Sequence, residues 1–282
     1  MARTYLMKLN KIMDDDDVYI DALLASPDVD DIKIIQVAPD EYLYVQKSTR
    51  HGCDGVFLYM AISDTDDVLV IQGNGVAQKP LAEGETNIHQ SAFVYLFNNN
   101  IIFCAEHNMS IYWVKRYIAE IFPDKNCSIK PHYDPDALSK IKNIKSISLT
   151  GVQEIQTGDE RIQQLLRQTK ANAPEELFSK YDIGISLKIK RRTFRKKLEL
   201  QREAEVKQAE VDASIKNYLE ELDIAENQYV VRFGNNQSMA NNNLCIKKRI
   251  HMDIMPNFEQ KKDNMFNRLV SWKLELNQDN II

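Results

Sequence analysis

Residues 92–97 read Ala-Phe-Val-Tyr-Leu-Phe, 98–100 read Asn-Asn-Asn, and 101–105 read Ile-Ile-Phe-Cys-Ala. Two runs of aromatic and β-branched residues flank three asparagines. Asparagine tolerates the left-handed backbone that a tight reversal needs, so the pattern predicts a β-hairpin. Working outward, further short extended segments fall at 32–37, 41–47, 55–62 and 68–72, separated by Asp, Gly, Ser and Thr. Residues 4–12 make a first strand, broken by four aspartates at 14–17, and a short helix over 18–24 stops before Pro27. Downstream, Ile111, Val114, Ile118 and Ile121 recur at helical spacing, with Ser110 as N-cap and Pro123 as stop. Consecutive strands followed by a helix predict an α+β fold, with antiparallel sheets and flanking helices.

The chain has 282 residues. At about 150 residues per domain this suggests two domains. The stretch 124–136, with Pro131 and Pro135 and little periodicity, is the expected boundary. That gives an acidic N-terminal α+β domain over 1–130 and a basic C-terminal α+β portion over 131–282. In the second portion the sequence predicts extended chain at 146–155, 229–233 and 244–252, and a flexible loop at 234–243. Helices are expected to open at the capping box Thr157-Gly-Asp-Glu160 and at Pro174. A long polar helix is expected over 194–223, and a final helix over 265–276 that buries Met265, Leu269, Trp272 and Leu276.

Hydrophobic content of 44% and charged content of 27% are those of a globular protein. No apolar run is long enough to span a bilayer, and the first residues lack the apolar core of a secretion signal. Cys53, Cys104, Cys127 and Cys245 are scattered with no C-x-x-C, so they are expected to be reduced thiols of a cytoplasmic protein. The net charge of −5 is unevenly spread: residues 1–130 hold 11 Lys and Arg against 19 Asp and Glu, and residues 131–282 hold 25 against 22.

The positive charge concentrates in one place. Over 183–190, Ile183, Ile185, Leu187 and Ile189 alternate with Gly184, Ser186, Lys188 and Lys190, the pattern of a half-buried strand. Lys188, Lys190, Arg191, Arg192, Arg195, Lys196 and Lys197 crowd its end, and no acid intervenes between Asp182 and Glu199. Like charges held this close repel one another, which points to an anionic partner; the alternative is a solvated face balanced by acids elsewhere. Lys247, Lys248 and Arg249, on the strand at 244–252, are a second candidate contribution.

No catalytic or cofactor-binding pattern emerges. Residues 68–79 offer a strand, Gly73-Asn-Gly75 and Lys79, but lack the phosphate-loop spacing, and Pro80 stands where a helix would open. Cys104, His107, His51 and Cys53, with Cys127 or His132, are not in the close pairs typical of structural zinc. Asp40, Glu41 and Lys47 miss the acid a nuclease motif would place at Val45. Tyr42, Tyr44, Phe57 and Tyr59 could stack bases, but their alternation with Leu and Val fits sheet packing better. No metal and no cofactor are expected.

Leu177-Phe178, Asp182-Ile183 and Ile185, followed by Lys188, Lys190, Arg191 and Lys196-Lys197, resemble the basic strand of the RexA family of phage-encoded exclusion proteins. Tyr42-Leu-Tyr-Val45 with Lys47, Gly55-Val-Phe-Leu58 ahead of Thr65 and Asp67, and the 92–105 hairpin are similar to that family's N-terminal blocks. So is the early Asp21-Ala-Leu-Leu24 helix. Little after Leu200 matches. The resemblance implies a non-enzymatic, sequence-tolerant, double-stranded DNA-binding homodimer. Such a protein senses phage DNA–protein intermediates and triggers abortive infection through a small membrane effector. The family is in turn similar to RdgC, a recombination-associated protein that encircles duplex DNA. Two alternatives stay open: a metal-dependent nuclease or toxin-like effector, and a protein-interaction adaptor whose basic strand docks an acidic partner.

Overall fold

A computed structural model describes residues 2–14, 19–64, 68–72, 75–79, 87–142, 146–150, 185–188, 209, 212, 213, 216, 217, 228–233, 237–255 and 257–282. The chain divides into two compact units: residues 1–128 with 247–282, and residues 129–246.

The first unit is organised by one antiparallel sheet. In chain order its strands are β1 (Ala2–Asp14), β2 (Ile32–Ala38), β3 (Glu41–Ser48) and β4 (Val56–Asp64). A separate hairpin, β5 (Val68–Gln72) and β6 (Gly75–Lys79), follows, and then β7 (Asn87–Phe97) and β8 (Asn100–Ala105). The last strand, here β14 (Lys247–Asp253), returns to pair with β1, and the spatial order is β14-β1-β8-β7-β4-β3-β2. The β7–β8 hairpin turns on Asn98 and Asn99, at φ 47° and 57°, as the three asparagines predict. At Gly55, φ is 117° and a Cβ would meet the Leu96 carbonyl oxygen at 2.1 Å, so the entry into β4 requires glycine.

Cross-strand partners share a face, and the register sets Phe57 opposite Tyr95 and Tyr59 opposite Phe93. This aromatic face receives the long C-terminal helix, Phe258–Gln278. Phe57 and Tyr95 stack at 4.4 Å, and Phe266 of the helix packs on Phe57 at 4.8 Å and on Phe93 at 5.8 Å. Asn257 caps the helix, its Oδ1 accepting from the Glu259 N–H at 2.8 Å. The helix is longer than the predicted 265–276. It buries Met265, Leu269, Trp272 and Leu276 as expected, together with Phe266 and the stems of Lys262 and Lys273.

The opposite face carries Leu43, Val45, Leu58, Met60, Ile62 and Val94, all buried. Lys47, in the same row, donates to the backbone carbonyls of Ser26 and Val29, so the turn after helix α1 (Ile20–Leu24) lies over this side. Helix α2 (Tyr112–Ile121) ends before Pro123, and Ser110 Oγ accepts from the Tyr112 N–H at 3.2 Å, while Ile111 holds the N-cap position itself.

Strand β9 (Cys127–Pro131), off the path of the large sheet, pairs with β1, and helix α3 (Pro135–Lys140) follows in the second unit. Regular structure thus occupies part of the stretch 124–136 that the sequence reads as the boundary: Asp134 accepts from the Asp136 N–H at 2.9 Å and starts the helix with proline in its first turn. Next come β10 (Ser146–Thr150), β11 (Ile185–Lys188), β12 (Gln228–Phe233), β13 (Gln237–Ala240) and the short helix α4 (Asn241–Leu244). The predicted loop at 234–243 is therefore in large part strand and helical turn, since β13 closes a hairpin with β12. The expected helices at Thr157 and Pro174 lie outside the described residues, as does nearly all of the long polar helix. The sequence placed 247–282 with the basic portion. Hydrogen bonding of β14 to β1 and packing of the terminal helix on the aromatic face put those residues in the first unit instead.

Candidate nucleic-acid interface

In the second unit, four antiparallel strands run in the order β11-β10-β12-β13. Their register aligns residues in rows across the sheet. One row is Lys188, Ser146, Arg232, Ser238, and the next is Leu187, Ile147, Val231, Met239. The third is Ser186, Ser148, Val230, Ala240. Polar rows therefore alternate with an apolar one, and side chains of alternate rows point to opposite faces. Burial shows which face is open. Val231 is fully buried and Phe233 nearly so, whereas Arg232 and Ser238 are exposed and Val230 is 37% exposed. Lys188 thus belongs by register to the row of an exposed arginine two strands away, about 10 Å at ordinary strand spacing.

Arg232 makes no ion pair or side-chain hydrogen bond among the described residues. Its neighbours in the polar rows are serine, valine and alanine, small enough to let a large partner approach the sheet. No aromatic residue stands in either polar row. Beside the hairpin of β12 and β13, a cleft of about 770 Å³ is lined by Ser139, Lys140, Lys142, Phe233, Gln237, Ser238 and Met239. It adds two exposed lysines to the same unit.

Of the sequence-nominated cations, Lys188 falls in β11, and Lys190, Arg191, Arg192, Arg195, Lys196 and Lys197 lie outside the described residues. Lys247, Lys248 and Arg249 lie in β14 of the first unit, where strand alternation separates them. Lys247 and Arg249 are exposed on one face, opposite Lys8 and Leu6. Lys248 turns to the other face and pairs with Glu275 of the terminal helix, which leaves it poorly placed for an outside anion. By unit, residues 1–128 with 247–282 carry 17 Lys and Arg against 24 Asp and Glu, and residues 129–246 carry 19 against 17.

Arg232 was not nominated from the sequence. The strand was legible as Tyr-Val-Val-Arg-Phe at 229–233, but its position two strands from Lys188 depends on pairings more than 40 residues apart. Periodicity within a segment carries no signal of strand order.

Two polar clusters in the first unit have the residue types of catalytic sites. Ser91 Oγ lies 3.0 Å from His107 Nδ1 and 3.4 Å from Glu106, whose carboxylate also pairs with Lys261 and, at 4.0 Å, with Arg3. Burial, together with the Arg3 charge, pulls the Lys261 ammonium below its usual range, and burial pushes the Tyr59 phenol beside Ser91 up. Ser91 is 1% exposed, so its hydroxyl meets no substrate, and the cluster ties the β7 strand to the terminal helix. Two residues before Ser91 on β7, His89 sits between Glu41, 3.1 Å from Nε2, and Asp64, 3.2 Å from Nδ1. The carboxylates engage opposite ring nitrogens and do not converge on one point. Among the described residues no group of three or more His, Cys, Asp or Glu is placed to hold a metal ion.

No protein-family model, curated protein or solved structure matches the chain. No helix among the described residues is long and apolar enough to cross a membrane.

Proposed function

We propose that the chain binds double-stranded DNA without sequence preference, through the open face of the four-stranded sheet and the basic run that follows β11. The supporting observation is the row Lys188, Ser146, Arg232, Ser238, which sets an exposed arginine, without a side-chain partner among the described residues, in register with the first lysine of that run. Cations among small residues on an exposed face suit phosphate contacts, which position a protein on DNA without reading its bases. The polar rows lack the aromatic platforms that single-strand binding uses, which favours the duplex. In the setting that the RexA resemblance implies, the chain would be the DNA-sensing component of a phage-exclusion system.

The test is binding of the purified chain to a random-sequence duplex over a salt series from about 50 to 300 mM. A log–log slope of several units is expected, unchanged by sequence or divalent metal, with weaker binding to a single strand of equal length. Arg232→Glu should lower affinity about tenfold and flatten the slope, and the triple change Lys190→Glu, Arg191→Glu, Arg192→Glu should abolish binding. An absence of binding at the lowest salt overturns the proposal; metal-dependent cleavage of the duplex would replace it with the nuclease alternative.

A further inference from the structure

The last strand on the path of the large sheet is β2, hydrogen-bonded among the described residues to β3 alone. An open edge is a template for another strand, and proteins usually blunt it with bulges, prolines or charge. Here the far half is blunted by a register shift between Gln36 and Ala38, whereas residues 30–34 carry neither bulge nor proline, and their charges, Asp30, Asp31 and Lys33, are of both signs. Ile32 is 52% and Ile34 62% exposed, side by side on one face of this half.

The backbone directions are fixed. The Lys47 N–H donates to the Asp31 carbonyl at 2.7 Å, so residues 31, 33 and 35 turn their N–H and C=O groups toward β3. Ile32 and Ile34 therefore turn theirs outward. A second β2 strand, antiparallel across a two-fold axis, must set outward residues opposite each other, which leaves three registers over this segment. Ile32 opposite the partner's Ile34 brings Lys33 against the partner's Lys33 at the closest cross-strand distance, and is repulsive. Ile34 opposite the partner's Ile34 sets Lys33 against an isoleucine and Asp31 against a valine. Ile32 opposite the partner's Ile32 sets Lys33 against the partner's Asp31 twice, and Ile34 against the partner's Asp30. The Asp31 carboxylate is 84% exposed and its contact with Lys47 is loose at 3.6 Å, so it is available for such a pair.

We infer that β2 is a homodimer interface, two copies of the chain joining edge to edge with Ile32 at the two-fold axis. Asp31 and Lys33 are complementary to the same pair of a second copy in that register only, and the occupant is therefore a second copy. This inference stands apart from the nucleic-acid proposal and survives if that proposal fails.

Sedimentation of the full chain tests it with two variants at exposed positions, where circular dichroism should show an unchanged fold. The parent chain is expected to be a reversible dimer. Ile32→Lys, which sets two lysines opposite each other, should weaken the dimer about tenfold or more. Ile34→Lys, opposite the partner's Asp30, should dimerise as well as the parent. A parent chain that is monomeric at all concentrations, or a dimer unaffected by Ile32→Lys, overturns the interface. Loss of the dimer in Ile34→Lys, alone or together with Ile32→Lys, overturns the register.

Discussion

Asp21 and Asn99 hold each other across 78 positions of chain: the Asn99 N–H donates to Asp21 Oδ1 at 3.0 Å, and Asn99 Oδ1 accepts from the Ile20 N–H at 2.8 Å. The second Asp21 oxygen accepts from the Asn98 N–H, also at 3.0 Å. One carboxylate thus satisfies both amides of a turn whose residues are left-handed, and the turn in return caps helix α1. Asp21→Ala strands two donors in a nearly closed site and should cost about 2–4 kcal/mol in urea unfolding. Asp21→Asn keeps one acceptor and should cost roughly half as much.

Lys273 reaches from the terminal helix to Asp54 at 2.8 Å and passes over the Phe97 ring at 4.9 Å. Its hydrogen bond, with the local backbone and the ammonium charge, holds the Asp54 carboxyl below its usual value. A depressed carboxyl contributes stability above its unfolded-state value and loses it as pH falls through the folded one, below about pH 4. In Lys273→Met the stem is conserved and the charge removed. The Asp54 carboxyl signal in NMR should then titrate at higher pH than in the parent, with the local backbone hydrogen bond retaining part of the depression.

Burial drives the alkaline limit. It pushes the Cys104 thiol from 9.0 up to about 12 and the Tyr117 phenol from 10.0 up to about 12, and it raises the Tyr95 phenol as well. Groups raised in the folded chain contribute stability that is complete below their unfolded values and lost as pH rises toward the folded ones. Unfolding free energy should therefore fall from about pH 9 upward. In the native chain at neutral pH a thiol reagent should label half-buried Cys53 first, and the buried Cys104, Cys127 and Cys245 only as the chain unfolds.

Phe266 is 1% exposed and lies between Phe57 and Phe93. Phe266→Ala should destabilise the first unit by about 3–5 kcal/mol in denaturant melts. A much smaller loss would mean that the terminal helix is not part of that core.

The hairpin of β7 and β8 was legible because hydrophobic runs and turn asparagines agree locally, and the amphipathic helix at 112–121 for the same reason. The terminal helix was legible in its buried stripe but not in its length, since the polar first turn carries no periodic signal until Asn257 is seen to cap it. The stretch 234–243, expected as a flexible loop, holds five asparagines, which favour turns locally. Pairing of Gln237–Ala240 with β12 overrides that local preference. At the candidate interface the basic run was plain in composition. Arg232 was hidden, because its relation to Lys188 exists only through the intervening strand β10.

The pairing of β1 with β14 joins residues 2–8 to residues 247–253. As the chain leaves the ribosome, the first strand emerges well ahead of its outer neighbour and of the helix that covers the aromatic face, which follow only after residues 129–246. Residues 129–246 are complete before the unit on either side of them is. Until residues 258–278 have emerged, Phe57 and Phe93 lack the Phe266 ring that packs on them, and the nascent chain carries an uncovered aromatic face of the kind that favours aggregation.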